Sequence, residues 1–533
     1  MKRVVEILER RPWLAPALAL GAMLALGIAA SDDYGIAWDE PVQRQYGSEV
    51  YDYVFHHDQG LFLNRHRYYG PVFELALYSL EKALGLSDAR SVYGMRHSAN
   101  FVVFWGGLVF FFLLARRLFG SWKLGLVGCA MLFLSPRIFA HGFYNSKDIP
   151  FLAVFVAGVY TLLRYLDRRT IGRALAHGVV CAILVDTRIV GVMLPALTAL
   201  FLGWDVARRG AIRAGIRRAA PGFAVFVASW AGVTVLLWPT LWRDPLANFV
   251  RVFEGMRNFP WEATVVYLGR ATWSTALPWH YTLVWIAVST PLAYLVLCCV
   301  GLAAGWSRAP GTPRDSAAAC AEAEAVIGRR DLVLVVLWLA LPLGYSIGSK
   351  AVLYDEWRHS FFVYPALLLV ALAGMRWLWR SAAALRAGGA RKILRAALVA
   401  LVATNMAAAA AFMLRHHPFQ NVYFNSVPGG PRGAHGKFEM DYWGLSYRQG
   451  LEYIAAHDPA EAITIKAANV AGRYNADALG AADRKRLVFV DDMSRARYYI
   501  TNYRWDREHL PLEQEIYSIY VEGAEIMGVY ELR

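Results

Sequence analysis

Six long runs without a charged residue constrain this chain more than any other feature of its sequence. They cover residues 13–30, 98–115, 219–242, 281–307, 332–349 and 396–414. Each run is long enough to cross about 30 Å of hydrocarbon as an α-helix. With 57% hydrophobic residues among 533, the chain is also too apolar for a soluble globular protein. The sequence therefore predicts an all-α polytopic membrane protein.

Five shorter apolar runs are bounded by charged residues, so they can cross a bilayer only with tilted helices or snorkelling side chains. They cover residues 124–136, 149–163, 174–185, 189–204 and 360–375. With these runs included, the sequence predicts about eleven transmembrane helices.

Arginine and lysine residues cluster in alternate loops between the apolar runs. Because cytoplasmic loops retain positive charge, this alternation predicts a cytoplasmic N-terminus and, with an odd number of spans, a C-terminus outside. The net charge of +14 then follows largely from topology. No basic stretch accompanies a recognisable nucleic-acid-binding module, so we expect no nucleic-acid partner.

The composition changes after residue 415. Residues 416–533 have ordinary soluble composition, and their short segments rich in β-branched and aromatic residues predict strands of a small α/β domain outside the membrane. A stretch rich in small residues at 307–325 predicts a cytoplasmic linker. Residues 1–415 are expected to form the membrane domain, with three outer loops at 31–92, 140–150 and 243–280.

Acidic residues survive at the predicted outer ends of the spans. Asp39 and Glu40 follow the first span, and Asp148 follows the third. With the predicted threading, all three carboxylates face the same side of the membrane. An unpaired charge near hydrocarbon costs a few kcal/mol or more, so acidic residues at such boundaries often mark function. Their placement favours a catalytic membrane enzyme.

These residues also carry a resemblance to a known class of enzymes. The features lie at the outer ends of the first three spans: Trp38-Asp39-Glu40, the sequence RYYGPVFE, Arg96 and Asp148. Their layout resembles that of the GT-C membrane glycosyltransferases. Within this class, the chain looks most like the protein O-mannosyltransferase and aminoarabinose-transferase group, including the RgtA/B/C/D-like bacterial enzymes. The resemblance is best over residues 13–205 and looser to 415.

The resemblance implies a hexosyl- or pentosyltransferase that uses a polyprenyl-phosphate-linked sugar at the periplasmic face of a bacterial inner membrane. The acceptor is a glycolipid, a polysaccharide or a protein. Transfer needs a base for the acceptor proton and positive charge for the departing phosphate. By this resemblance Asp39 is the general base of an inverting reaction, and Glu40 orients Asp39 or the acceptor. Asp148 would bind sugar hydroxyls, acceptor or a divalent metal, and Arg96 is a further substrate-binding candidate.

Basic residues near the acidic ones are candidates for holding the donor phosphate. Lys147 is either a phosphate ligand or a counter-ion near the lipid boundary. Arg358 and His359 stand at the outer start of a span, where members of the class commonly place a basic residue, and the planar arginine fork suits phosphate oxygens. The alternative for Arg358 is an interfacial ion pair with Asp355 or Glu356.

Other polar groups permit both structural and functional interpretations. Asp186 and Arg188 are predicted to form an ion pair at the outer membrane edge, or else to line the donor site. A loop with metal-compatible side chains matches no known zinc spacing, which favours a solvated loop: His56, His57, Asp58 and His66. Residues that introduce the tail either contact the acceptor or pack at a domain junction: His417, Asn421, Asn425, Asp441 and Trp443.

Alternatives are open both for the role of Asp39 and for the enzyme hypothesis, whose rivals are a transporter and a non-catalytic membrane scaffold with a partner-binding tail. Asp39 could act only as a helix cap, since Pro41 suits a first helical turn. The chain could also be a transporter or flippase for lipid-linked sugars, which should show paired halves with interrupted spans and ionisable residues near the middle of the membrane. The unlike halves and the acidic residues at the outer edge favour the enzyme.

Overall fold

The computed structural model describes residues 13–208, 212–257, 261–304, 327–383, 385, 388–505 and 514–533. The predicted linker at 307–325 and the basic residues before the first apolar run lie outside these ranges. Up to residue 415 the described chain forms the helices α1 (Leu14–Ala30), α2 (Glu40–His56), α3 (Val72–Ala83), α4 (Ala89–Phe119), α5 (Trp122–Phe133), α6 (Pro136–Tyr144), α7 (Asp148–Asp167), α8 (Ile171–Thr187), α9 (Met193–Arg208), α10 (Ile212–Leu237), α11 (Pro245–Arg257), α12 (Tyr281–Ser289), α13 (Leu292–Ala304), α14 (Arg329–Gly348), α15 (Tyr364–Ala383) and α16 (Gly388–Arg415).

Eight helical stretches of the described chain are long and apolar enough to cross a membrane. They are Leu14–Asp33, Ala89–Phe119, Asp148–Asp167, Ile189–Arg208, Ile212–Leu237, Arg329–Gly348, Arg358–Ala383 and Gly388–Arg415. The pair α5 and α6 adds a ninth if the two helices, bent by 70° relative to each other, form one span. A multi-pass helical membrane protein is therefore confirmed.

The predicted number of about eleven spans is not confirmed, since two predicted spans differ from what was expected. The run at 281–307 divides into α12 and α13, because Pro291 lacks the N–H that a continuous helix would need there. The run at 174–185 lies in α8, a helix of 17 residues. Neither segment is among the eight stretches of the described chain that are long and apolar enough to cross a membrane.

Glycine lets the neighbouring helices α13 and α15 approach closely. A Cβ atom on Gly301 would lie 2.0 Å from the carbonyl oxygen of Val370, and one on Gly374 would lie 2.1 Å from that of Leu297. Only residues without a side chain fit such contacts between helix backbones, which are typical of helix packing in membranes.

Helix α7 separates two groups of charged residues. It runs from Asp148 to Asp167 and contains 20 residues, which at about 1.5 Å per residue is a length of about 30 Å. Asp148 therefore lies at one end of the bundle, whereas Asp167 pairs with Arg117 and Arg330 at the other. This separation matches the thickness of a bilayer core.

The tail forms a small α/β unit, as predicted. The tail helices are α17 (Gly430–Ala434), α18 (Tyr447–His457), α19 (Val470–Asn475) and α20 (Ala481–Arg486). The strands are β3 (Ile463–Ala467), β4 (Leu487–Phe489), β5 (Tyr498–Thr501), β6 (Glu515–Val521) and β7 (Ala524–Glu531). These strands form one sheet in the order β4-β3-β5-β7-β6, with β3 parallel to both β4 and β5 and with β7 antiparallel to β5 and β6. A separate hairpin in the outer loop at 243–280 pairs β1 (Thr264–Tyr267) with β2 (Arg270–Trp273).

The tail packs directly on the first outer loop. The Asn475 side chain accepts from the backbone N–H of Ile36 at 2.8 Å and donates to the Ile36 carbonyl at 2.9 Å. The backbone N–H of Trp38 donates to the Trp443 carbonyl at 3.3 Å. The tail thus fixes the backbone that leads into Asp39.

Candidate active site

Asp39 occupies the N-cap position of α2 but does not act as its cap. Its side chain makes no capping hydrogen bond. Instead its carboxylate lies 3.4 Å from the Lys147 ammonium and 3.9 Å from the Arg358 guanidinium. The geometry therefore gives no support to the helix-cap alternative for Asp39.

Arg358 lies at the centre of three carboxylates. Its guanidinium donates to Asp148 at 3.3 Å and to Asp355 at 3.2 Å, besides lying near Asp39. It also lies over the rings of Tyr354 and Trp443, 4.9 Å from each centroid. A guanidinium suits this position because its planar fork bonds several acceptors while its faces contact aromatic rings. Both the ion pair with Asp355 and the contacts with the candidate site residues are present.

Asp148 is held by arginines from two sides. Besides Arg358 it forms an ion pair with Arg188, and it accepts a hydrogen bond from the Asn145 amide at 2.9 Å. We call Asp39, Lys147, Asp148, Arg188, Asp355 and Arg358 the Arg358 cluster. It combines residues from the first outer loop, the start of α7, the end of α8 and the turn before α15.

The members of the Arg358 cluster differ in their access to solvent. The side chains of Arg358, Asp148 and Asp355 are at most 2% exposed. Those of Asp39, Lys147 and Arg188 are 27%, 15% and 14% exposed. The solvent side of the cluster therefore offers a ligand one carboxylate and two cationic groups, supported from below by buried, paired charges.

Opposing effects act on the Asp39 carboxyl. Burial alone would raise its pKa, but the positive charges of Lys147 and Arg358 hold the pKa below its ordinary value. Asp39 is therefore an ionised acceptor at neutral pH. Its strength as a base depends on how closely the two cations remain beside it.

Two of the predicted site residues lie behind the cluster. Glu40 accepts from the backbone N–H of Ala37 at 2.8 Å and lies 3.1 Å from His97 Nε2. Arg96 is buried and pairs with Glu74. These contacts hold the first outer loop in place, and the two side chains do not face the accessible side of the cluster.

His359 is partly buried beside the cluster. Its ring meets the Tyr354 ring edge-on at 4.7 Å. Its Nδ1 atom has no hydrogen-bond partner among the described residues.

The sequence RYYGPVFE contributes three distinct contacts. The Lys147 ammonium lies over the Tyr69 ring, 4.9 Å from its centroid, and burial raises the pKa of Tyr69 to about 12. A Cβ atom on Gly70 would lie 1.2 Å from the Asp186 carbonyl oxygen, so only glycine fits there. Glu74 pairs with Arg96. The segment therefore joins the first outer loop to the end of α8.

The predicted ion pair between Asp186 and Arg188 is wrong. Arg188 follows the end of α8 in an extended conformation and pairs with Asp148. Asp186 is buried and faces the backbone N–H of Val72 at 3.4 Å. Because the chain leaves the helix at Arg188, proximity in sequence does not bring the two charges together.

Sequence reasoning missed the strained turn before Arg358. Asp355 and Glu356 have φ values of 55° and 60°, a left-handed conformation that costs non-glycine residues about 1–2 kcal/mol each. Asp355 pairs with Arg358 and with Arg504 of the tail at 2.6 Å, and Glu356 pairs with Arg137 at 2.6 Å. Strain of this kind clusters at functional sites. Burial raises the pKa of Asp355, although both arginines oppose the shift.

The acidic residues present do not fit a divalent metal. Asp39 and Asp148 each lie within ion-pair distance of two cationic side chains. A divalent cation would have to displace these cations to reach carboxylate oxygens, which are its preferred ligands. Across the described parts of the chain, no group of three His, Cys, Asp or Glu side chains is arranged to hold a metal ion. The predicted loop with His56, His57 and His66 is included in that finding.

Comparison with known proteins supports the fold. No protein-family model matches the chain, and no curated protein matches it. The crystal structure of the Archaeoglobus fulgidus oligosaccharyltransferase in the apo form matches 90% of this chain with a TM-score of 0.50 and 9% sequence identity. The chain has a GT-C fold. It spans 65% of the length of that enzyme.

Other structures of the same archaeal enzyme give lower scores. Its complex with an inhibitory peptide and a dolichol-phosphate covers 93% of this chain and 70% of that chain, with a TM-score of 0.48 and 9% identity. The match to its complex with Zn and sulfate covers 82% of this chain and 59% of the archaeal chain, with a TM-score of 0.42 and 11% identity.

Proposed function

We propose that this protein is a membrane glycosyltransferase that moves a hexose or pentose from a polyprenyl-phosphate-linked donor to an acceptor. The observation that supports it most directly is the Arg358 cluster, in which one accessible carboxylate lies beside accessible cations at one end of a GT-C bundle. Glycosyl transfer requires these two kinds of group.

The cationic side of the cluster suits the donor phosphate. The phosphate of a lipid carrier lies at the membrane boundary, and Lys147 and Arg188 reach solvent where α7 begins. Charge-assisted hydrogen bonds from such groups to phosphate are about twice as strong as neutral ones. Arg358, which is held rigidly by three carboxylates, stabilises the same negative charge from below.

Asp39 is the general base of an inverting displacement. The acceptor hydroxyl attacks the anomeric carbon on the face opposite the phosphate, and Asp39 takes the hydroxyl proton. The bond between the anomeric carbon and the phosphate oxygen breaks, and the phosphate leaves with the bonding electrons. Asp148, which is buried and paired with two arginines, positions those arginines.

Donor binding strengthens Asp39 as a base. Lys147 and Arg358 lower the pKa of Asp39 in the free protein. A bound phosphate competes with Asp39 for the same two cations, so the pKa of Asp39 rises towards a more effective value. The base is thereby activated when donor is present.

The position of the charges also favours the enzyme over the transporter. A transporter is expected to carry ionisable residues near the middle of the membrane, whereas the Arg358 cluster lies at the end of α7. We further propose that this end faces the periplasm of a bacterial inner membrane, as the arginine distribution predicts. The acceptor is a glycolipid, a polysaccharide or a protein, as in the O-mannosyltransferase and aminoarabinose-transferase group.

The test compares cells with and without this protein by mass spectrometry of polyprenyl-phosphate sugars and surface glycans. A transferase leaves one donor accumulated and one sugar missing from a glycan. The purified protein should then move that sugar from the extracted donor to the extracted acceptor in detergent. If the protein moved the donor across vesicle membranes but transferred no sugar in detergent, the enzyme proposal would be wrong and the transporter alternative would hold.

A further inference from the structure

Five arginines surround a cavity of about 640 Å³ at the end of the bundle opposite the Arg358 cluster. The cavity volume falls within the range of ordinary ligand sites. The arginines come from α4, from the end of α7 and from the start of α8. We call them the arginine pocket: Arg116, Arg117, Arg164, Arg168 and Arg173.

The nearby acidic groups leave most of this positive charge uncompensated. Asp167 is the acidic member of the pocket lining, and it already pairs with Arg117 at 2.7 Å and with Arg330 at 3.1 Å. Within the described chain, the other four arginines of the pocket have no carboxylate within 4 Å. A cavity with this charge has the requirements of an anion-binding site.

Two arginines of the pocket, Arg116 and Arg168, have side chains that form no hydrogen bond or ion pair within the described chain, whereas Arg164 and Arg173 do form hydrogen bonds. Arg173 donates to the Arg164 carbonyl at 2.7 Å, and Arg164 donates to the Tyr160 hydroxyl at 3.4 Å. Arg116 and Arg168 are exposed, and their side chains make no hydrogen bond to any described residue. Their guanidinium groups are therefore able to bind a ligand without breaking a contact.

The pocket is also apolar on its membrane side. Leu113 lies one turn before Arg116 on α4, and Tyr160 lies one turn before Arg164 on α7, both towards the middle of the bundle. A ligand here meets guanidinium groups at the rim and apolar surface below. A phospholipid has the same order of groups, with phosphate above and acyl chains below.

We propose that the arginine pocket binds the headgroup phosphate of an anionic phospholipid in the leaflet opposite the Arg358 cluster. Basic pockets between transmembrane helices are known to hold anionic headgroups. The site is distinct from the proposed donor site, because the length of α7 separates the two ends by about 30 Å. It does not depend on the transferase proposal.

The test measures the lipids that stay bound to the protein by native mass spectrometry, after release from nanodiscs of phosphatidylcholine containing phosphatidylglycerol. The intact protein should retain phosphatidylglycerol in preference to phosphatidylcholine. The double variant Arg116→Gln and Arg168→Gln should lose about thirtyfold in affinity for phosphatidylglycerol, the effect of two arginines at an anionic surface. Neither side chain holds the fold, so the variant is expected to remain monodisperse.

The matched control is Arg213→Gln with Arg217→Gln. These exposed arginines lie in the first turns of α10, at the same end of the bundle but outside the pocket. The control should keep the preference for phosphatidylglycerol. Equal losses in the two double variants would overturn the proposal, because they would indicate a diffuse surface charge. Displacement of phosphatidylglycerol by millimolar inorganic phosphate would also overturn it, because the site would then bind free anions.

Discussion

The two ends of α7 carry ionic networks that are built differently. At one end, the side chains of Arg358 and Asp148 are each 2% exposed. At the other, Arg117 and Asp167 pair while 19% and 36% exposed. Exposed ion pairs contribute at most about 1 kcal/mol, whereas removing one partner of a buried pair costs about 3–5 kcal/mol. Removing a residue from the buried network should therefore lower the free energy of unfolding more than removing one from the network at the other end.

The buried network also draws its charges from more of the chain. It joins the first outer loop, α7, the end of α8, the turn before α15 and the tail. The network at the other end links helix ends through Asp167, Asp205 and Asp331, which pair with Arg117, Arg169 and Arg330. Burial and convergence thus distinguish the Arg358 cluster from the network at the other end, although both contain the same residue types.

The same substitution at the two ends gives the largest expected contrast. Asp39→Asn keeps the shape of the side chain but removes its ability to accept a proton at neutral pH. We expect turnover to fall by about 10²–10⁴, the range that general-base catalysis contributes. Asp167→Asn should leave turnover nearly unchanged. The measurement is sugar transfer by the purified proteins at matched donor occupancy, and near-normal transfer by Asp39→Asn would exclude Asp39 as the base.

Removing one arginine from each network should have different effects on the free energy of unfolding and on donor binding. Arg358→Ala leaves Asp148 and Asp355 buried with fewer partners, so we expect a loss of about 3–5 kcal/mol in the free energy of unfolding. The Michaelis constant for the donor should rise as well. Arg330→Ala should cost less, because its side chain and those of its partners are 13–36% exposed and solvent screens these pairs. Denaturant unfolding in detergent compares them, and equal costs would remove the distinction between the two networks.

A tail residue should affect the donor side of the site. Arg504 bonds Asp355 at 2.6 Å and lies over the Trp38 ring, 4.4 Å from its centroid. Arg504→Gln frees Asp355 to draw Arg358 away from the phosphate, and we expect the donor Michaelis constant to rise about tenfold, in line with the loss of one charge-assisted bond. The control Arg497→Gln changes a half-exposed tail arginine paired with Asp458. An unchanged donor Michaelis constant for Arg504→Gln would show that the tail supports the structure without affecting donor binding.

The smallest expected effect is on the pH profile. The pKa of Asp39 is below its ordinary value in the free protein, so kcat/KM should stay high down to acidic pH and fall only as Asp39 is protonated. Lys147→Met removes one of the two cations and should move this fall to higher pH. Lys123→Met, at the opposite end of the bundle, should not move it. A shift towards lower pH in Lys147→Met would contradict the assigned electrostatics.

The depressed pKa has a consequence for stability as well. A carboxylate whose pKa is lower in the folded state stabilises the fold above its unfolded pKa and loses that contribution as the pH falls through the folded value. Asp39 should therefore contribute stability at neutral pH and progressively less in acid. The Lys147→Met variant should show a smaller dependence of the same sign.

The fold was largely predictable from local composition. Backbone N–H and C=O groups inside a bilayer find no water to bond, so a long uncharged run that crosses it must be a helix. Segments rich in β-branched residues indicated the strands of the tail. Breaks within apolar runs were harder to predict. The proline at 291 divides one run, and α8 ends at Thr187, where the chain leaves the helix and Arg188 pairs with Asp148.

The candidate site was predictable only in part. Asp39, Lys147, Asp148 and Arg358 were recognised from their positions at the ends of apolar runs, and the structure brings them together. Arg504 offered no such signal, because its contact with Asp355 spans 149 residues of chain. The left-handed turn at Asp355 was equally hidden, since no glycine marks it.

The amino-acid pattern is enough to predict a polytopic helical protein with a small α/β tail, and the end of the bundle where its unusual charges lie. The physical reason is that hydrophobic length and boundary charge act locally, through the cost of exposing polar groups to hydrocarbon. Which charges meet depends on the packing of the folded chain. Arg188 faces Asp148, Arg504 reaches the turn before α15, and Asp39 faces two cations instead of its own helix. These pairings depend on how distant segments pack, and that packing has no signature in the neighbouring residues.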